Sequence, residues 1–274
     1  MPVINTNTAA NSAVRYLNIN AQDQSESLSK LASGSRINKA SDDAAGLAIA
    51  TRIKSDVTAL QQASTNSAHS IAILQTADGG ASNISDILQR MKALASQSAS
   101  GTVTDNERVY IDAEFQELID EVDGIAVGTR FNGDSLLDGT SPFAAGITVM
   151  VGSTSTDTIN LSIDDLDATA LAVNASAVDT QTNANTALTA LDAAIDLVSE
   201  ARANIGAVMS RFEFRADTLA TTTENLQASE SAIRDVDVAA EQARLSAANV
   251  KTQAAVAAAA QANQMPQQLL NLLR

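Results

Sequence analysis

In residues 188–226, LTALDAAIDLVSEARANIGAVMSRFEFRADTLATTTENL, one helical face repeats without a break. Leu188, Leu191, Ile195, Val198, Arg202, Ile205, Met209, Phe212, Ala216, Leu219, Thr223 and Leu226 hold a 3-4-3-4 rhythm, the spacing of a helix that buries one stripe. The rhythm runs on through Ile233, Val236, Ala240, Ala243, Ala247, Val250, Ala254 and Ala257. There the stripe shrinks largely to alanine, which lets helix backbones approach closely. If helical throughout, 180–265 forms a rod of about 130 Å. No single domain of this size buries such a rod. Its seams must meet other parts of the chain and other copies of it.

The opposite end mirrors this pattern. Val14, Leu17, Ala21, Gln24, Leu28 and Leu31 form a heptad-like seam with Gln24 as its polar break, and Gly34 with the Ser/Asn/Lys-rich 33–41 interrupts it. Asp42 and Asp43 then suit a helix start. The spacing predicts a second helix from about 43 toward 98 through Ile53, Val57, Leu60, Ile71, Leu74, Ile84, Leu88, Met91 and Ala95. Gly79-Gly80 weaken it by about 1 kcal/mol each relative to alanine and leave its continuity open. Thr104 and Glu107 read as the capping box of a third helix that buries Phe115, Leu118, Ile119, Val122 and Ile125. Between these halves lie two alternating runs, Ile147–Val151 and Thr158–Ile163, joined by a Gly-Ser-Thr-Ser-Thr-Asp loop that reads as a hairpin. The fold class is therefore mainly α: long antiparallel helices in a coiled-coil bundle, with a small β-hairpin region at about 140–178.

Charge separates the same regions. Residues 1–44 and 229–274 are each neutral, with four cations and four acids apiece, so 24 acids against 9 cations in 45–228 give the whole −15. Neutral ends with seams suggest segments that pack together, and the acidic middle suggests a surface that faces water. An acidic chain lacks the basic footprint nucleic acid needs. The net-zero ends lack the Lys/Arg face of a membrane-surface helix. No run of 18 apolar residues predicts a membrane span, and the N-terminus lacks the plan of a signal peptide.

Little chemistry survives inspection. Without cysteine there is no disulfide, thiolate metal site or thiol nucleophile. One histidine, His69, cannot supply a His-pair metal site and reads as a surface or packing residue. Asp164, Asp165 and Asp167 cluster beside a turn but lack the glycine of a calcium loop. Asn83-Ile-Ser and Asn174-Ala-Ser satisfy the N-glycosylation triplet, and 153–158 offers O-linked acceptors. An unmodified polar loop accounts for 153–158 equally well. No enzyme and no cofactor is expected.

Several motifs carry a resemblance. Ile4-Asn-Thr-Asn, Leu31–Ala50 (LASGSRINKASDDAAGLAIA), Gln75-Thr-Ala-Asp-Gly, Leu88-Gln-Arg, Phe131-Asn-Gly and Leu136-Leu-Asp-Gly resemble bacterial flagellin. So do Asn204–Glu213 (NIGAVMSRFE), Glu224-Asn-Leu, Ile233-Arg-Asp-Val-Asp and Gln261–Leu273 (QANQMPQQLLNLL). The chain looks like a short flagellin without outer domains, similar to those of alphaproteobacteria.

The resemblance implies a secreted structural protein that polymerises into the extracellular filament of the bacterial flagellum, the propeller for motility. It implies an inner coiled-coil domain from 1–44 and 235–274, and a helical domain with a hairpin from 45–234. The assembly seam would comprise Val14, Leu17, Ala21, Leu28 and Leu31 with Ile233, Val236, Ala240, Ala243, Ala247, Val250, Ala254, Ala257, Leu269, Leu270 and Leu273. Implied partners are further copies in a helical homopolymer, the type III export apparatus, an export chaperone, and hook-associated and cap proteins. The family's immune-receptor motif, recognised by an animal Toll-like receptor, matches at Gln89, Arg90, Leu94 and Glu114. Ala93 replaces its central glutamate, so receptor activation is expected to be weakened.

Overall fold

The structure, a computed structural model, describes residues 7–272, except for the side chains of 266–272. Helices α1 (Thr8–Ser33), α2 (Ala44–Ala99), α3 (Asp105–Gly128), α4 (Pro142–Ala145), α5 (Gln181–Arg234) and α6 (Val238–Leu272) dominate it. Two antiparallel pairs join them: β1 (Arg130–Phe131) with β2 (Asp134–Ser135), and β3 (Ile147–Met150) with β4 (Thr158–Leu161). The chain forms two compact units. One combines the residues up to Ser55 with those from Asn225 on; the other is Asp56–Glu224.

In the unit of the two ends, α1 packs antiparallel on α6. Asn7 caps α1, its Oδ1 accepting from Ala10 N at 3.0 Å, and Gly34 closes the helix at φ +70. A left-handed φ of this kind favours glycine. The same Asn7 donates Nδ2 to Ala262 O at 2.8 Å. Pro266, four residues on, has no N–H to give that carbonyl, so Asn7 satisfies what the proline leaves open.

The expected rod is broken. At 235–237 the helix stops: Ser35 bridges Asp235, Arg36 N donates to Arg234 O (2.6 Å), and Val236 N donates to Gly34 O (3.0 Å). The Val236 amide and the Arg234 carbonyl thus pair with the α1–α2 link instead of continuing the helix. Asp237 then restarts it, accepting from Ala239 N and Ala240 N, both at 3.0 Å.

In Asp56–Glu224 one core joins α2, α3, α5 and the intervening loops. Leu74, Ala77, Ala81, Ile84, Leu88, Met91 and Ala95 of α2, Phe115 and Val122 of α3, and Leu191 and Phe212 of α5 are wholly buried. The stretch 136–178 is no polar insert, because Leu136, Leu137, Leu161, Ile163, Leu166, Leu171, Val173 and Val178 all enter that core. Asp123 and Asp112 of α3 hold it down, accepting from Ala168 N and Val178 N, each at 2.7 Å.

Helix α2 runs unbroken through Gly79-Gly80. A Cβ on Gly80 would lie 2.4 Å from Thr129 Oγ1 and 2.8 Å from Leu137 Cδ1, whereas one on Gly79 would meet nothing. Gly80 is therefore a close-packing site, not a kink. The capping box forms as read, with Thr104 N donating to Glu107 at 2.8 Å. The hairpin pairs Ile147 with Leu161 and Met150 with Thr158, inside the two runs expected.

Candidate assembly surface

Facing helices define what the ends bury between themselves. On α1, residues 10, 13, 17, 20, 24, 27 and 31 are withdrawn from water; on α6 they are 241, 245, 248, 252, 255, 259 and 262. Both sets keep heptad spacing. Their content is modest: Ala10, Ala13, Asn20, Gln24 and Ser27 with Leu17 and Leu31 on one side, and Glu241, Thr252 and four alanines with Leu245 on the other. Glu241 is 4% exposed and accepts from Arg244 at 3.2 Å.

Most of the large apolar side chains point elsewhere. Val14, Tyr16, Ile19 and Leu28 of α1 are exposed, Leu28 to 57%. So are Val238, Val250, Val256 and Met265 of α6, Val250 to 66%. Of the residues the sequence marked as seam, Leu17 and Leu31 are half-buried in the α1–α6 contact, and Ile233 and Val236 at the 235–237 break. Val14, Ala21, Leu28, Ala240, Ala243, Ala247, Val250, Ala254 and Ala257 are exposed. The α6 positions among them run one or two residues ahead of the stripe that meets α1. The side chains of Leu269 and Leu270, and Leu273 altogether, lie outside the described residues.

The receptor-motif residues separate by depth. Arg90 donates Nη2 to Glu114 Oε1 at 2.5 Å and Nε to the same oxygen at 3.0 Å, on the surface beside exposed Gln89 and Ala93. Leu94, 3% exposed, belongs to the core.

Electrostatics elsewhere are structural. Burial first, then the charges of Asp167, Asp138 and Asp123, push the Asp165 carboxyl above its usual range. Among the described residues no group of His, Cys, Asp and Glu could hold a metal ion. His69 sits exposed with its ring edge-on to Phe131, centroids 5.1 Å apart. No described helix is long and apolar enough to cross a membrane.

Three positioning residues had no distinctive sequence signal. Arg108, 6% exposed, donates to Ser98 O, Ser100 O and Asp105, and so ends α2 on α3. Arg215 donates Nε to Val151 O at 2.8 Å and pairs with Asp157 at 3.3 Å, which fastens the hairpin loop to α5. Asn7 is the third. The β1–β2 turn did leave a signal: Asn132-Gly133, with φ of +54 and +97, is the dipeptide a tight hairpin of this type prefers.

The comparisons agree with this architecture. Residues 4–142 match the bacterial flagellin N-terminal helical region, and 188–273 the bacterial flagellin C-terminal helical region. A flagellin of Halalkalibacterium halodurans is 40% identical over 274 residues, covering 99% of this chain and 100% of that one. A flagellin of Bacillus subtilis is 36% identical, covering 99% of both, and a Treponema maltophilum flagellar filament 30.7 kDa core protein is also 36% identical at the same coverage. The crystal structure of Bacillus cereus flagellin superposes with a TM-score of 0.52 at 32% identity, over 57% of this chain and 88% of that one. A putative flagellar hook-associated protein from Vibrio parahaemolyticus reaches a TM-score of 0.58 over 70% of this chain and 99% of that one. At 16% identity it shares the fold alone.

Proposed function

The chain belongs to the bacterial flagellin family, and on that premise we propose that its two ends form the assembly surface. It is a structural subunit and not an enzyme: a short flagellin that polymerises into the bacterial flagellar filament, the propeller of swimming. One observation carries the reading of the ends. The α1–α6 pair covers mainly alanines and small polar groups beside half-buried Leu17, Leu31 and Leu245, and leaves Val14, Leu28, Val250 and Val256 in water. Neighbouring copies that cover those side chains gain roughly 25 cal/mol per Å² of apolar surface. Contacts of this heterologous kind do not close, and repeated along a screw axis they build a filament. The inner layer would then be 1–44 with 235–274, and the hairpin-bearing domain 45–234.

Extracellular placement, passage through a type III export apparatus, a chaperone on the C-terminal segment, and hook-associated and cap proteins belong to the same reading. They rest on family likeness. For the animal Toll-like receptor, Arg90 and Glu114 offer an exposed charged pair and Leu94 offers nothing at the surface. Reporter cells should respond more weakly to this chain than to a flagellin with glutamate in place of Ala93. Equal potency would count against that expectation.

Salting the purified full-length chain out of solution and imaging it by negative stain tests the assembly reading. Long filaments of uniform width are expected; amorphous aggregate alone would overturn it.

A further inference from the structure

We propose that the groove beside the β3–β4 hairpin receives the outer ridge of α3 from a second copy of the chain. The proposal rests on the filament reading and names one of its contacts. The groove, about 440 Å³, is lined by Val151, Thr158, Ile159, Arg211, Phe214 and Thr218. Phe214 is 72% exposed, while Phe212 two residues earlier is wholly buried. The core makes no use of Phe214, although a side chain of this size can withdraw about 150–250 Å² from water when covered.

Arg211 stands beside it. Seven cations lie in 56–224, and six have acceptors. Arg90 reaches Glu114, Lys92 Asp192, Arg108 Asp105, Arg130 the carbonyl of Val127, Arg202 Asp78 and Arg215 Asp157. Arg211 alone makes no hydrogen bond or ion pair among the described residues. Arg215, tied to Val151 O and Asp157, fixes the wall of the groove.

The complementary surface is on α3, which carries eight acids against the one buried Arg108. Tyr110, 78% exposed, shares one helical ridge with Glu117 and Glu121, seven and eleven residues on. Neither glutamate makes a salt bridge among the described residues. An exposed ring followed by two unpaired carboxylates matches an exposed ring beside an unpaired guanidinium. In a chain of net charge −15 most mutual approaches repel, so this pairing sets orientation as well as attraction. Groove and ridge are different surfaces, so the contact is heterologous and open-ended.

The chain has no cysteine, which permits a direct test. Tyr110→Cys and Phe214→Cys chains, both changed at exposed positions, are co-polymerised in equal amounts and mildly oxidised. Mixed disulfide dimers are expected from the polymer, and neither from the dilute mixture nor from either variant polymerised alone. Polymers of normal appearance that yield no mixed dimer overturn the contact. Wild-type chain that never polymerises overturns the filament reading, and the contact with it.

Charge reversal supplies the second arm. Arg211→Glu should raise the critical concentration for polymerisation about tenfold, and Glu117→Arg with Glu121→Arg should do the same. Combining all three in one chain should bring it back to within about threefold of wild type. Additive loss instead of recovery overturns the pairing, and would assign Arg211 to some other acidic partner.

Discussion

The two units are built from the same kind of helix and finish it differently. In Asp56–Glu224 the stripe read from sequence is also the stripe buried. Leu191, Val198, Ile205, Phe212 and Leu219 all turn inward, and the 136–178 stretch packs on the same core, with Tyr110 and Phe214 the largest side chains left outside. In the unit of the ends, the α1–α6 contact takes in mostly alanine and small polar residues with half-buried Leu17, Leu31 and Leu245, and leaves Val14, Ile19, Leu28, Val250 and Val256 outside. Helix content and heptad rhythm are alike in both. What differs is whether the chain itself supplies a partner for its largest side chains. Helical periodicity thus announces that a face will be covered, without saying by which molecule. Most helical stability in proteins comes from packing such a face, so a face left bare marks an interface awaiting its partner.

The most severe way to break this contrast is to remove the ends. A chain reduced to 45–234 should form no polymer at concentrations where the full chain assembles completely, while keeping a cooperative thermal transition. Sedimentation and circular dichroism on the same sample read the two outcomes. Filaments grown from the truncated chain would place the assembly surface in the wrong unit.

Point substitutions sharpen the contrast by reversing which observable responds. Phe212→Ala opens a cavity in a filled core and should cost about 3–5 kcal/mol of monomer unfolding free energy. Val250→Ala, at an exposed site, should change that quantity by about 0.5 kcal/mol or less. It should raise the critical concentration several-fold because a buried methyl pair in the polymer is lost. Denaturant melts of dilute monomer, set beside pelleting assays, separate the two effects. A Val250→Ala monomer that melts much earlier than wild type would mean that α6 is already covered in the single chain.

A smaller effect distinguishes two adjacent glycines within the finished unit. Gly80→Ala drives a Cβ into Thr129 and Leu137 and should destabilise by about 1–3 kcal/mol. Gly79→Ala meets only solvent and should stabilise by about 1 kcal/mol through helix propensity. Thermal melts of the pair, one falling and one rising, check the assignment. Equal shifts would contradict it.

These examples show what periodicity can reveal. The α2, α3 and α5 stripes, the capping box at Thr104 and the 147–161 hairpin were legible because each is a local rule of spacing or cap chemistry. On α6 the stripe read from the sequence lies one or two residues from the one that meets α1, because alanine occupies nearly every face. With few bulky side chains, and those divided between both faces, positions 240, 243 and 247 look as suitable as 241, 245 and 248. The break at 235–237 was invisible for a different reason. Asp235-Val236-Asp237 carries no glycine or proline, and its backbone is captured by Gly34 and Ser35, 200 residues away in sequence. Arg108, Arg215 and Asn7 act through carbonyls that only the fold brings near. The Asn132-Gly133 turn could have been read, since its dipeptide is a local signal.

The faintest contrast lies among carboxylates, and pH exposes it. Asp157 accepts from the Thr154 hydroxyl and amide and lies beside Arg215, which holds it below 3.8, the ordinary value for its side chain. The Thr104 amide and hydroxyl do the same for Glu107, whose ordinary value is 4.5. Depressed groups stabilise the fold above their unfolded pKa, and that contribution is lost as pH falls through the folded one. Asp165 runs the other way. Burial and neighbouring carboxylates raise its folded pKa, so its ionised form opposes folding at neutral pH, and protonation relieves the cost as pH falls through that raised value. Acidification should therefore first lift the melting temperature of Asp56–Glu224 slightly as Asp165 takes up its proton, and lower it as pH falls below the ordinary values of Glu107 and Asp157, 4.5 and 3.8. Asp165→Asn keeps an oxygen for the Asp167 amide and removes the charge, so it should melt higher at pH 7 and lose the initial rise. In the unit of the ends, Asp42 is held low by the Lys39 and Asn38 amides, so its contribution there is lost as pH falls. No rise in Asp56–Glu224, or a rise that survives Asp165→Asn, would remove Asp165 as the cause.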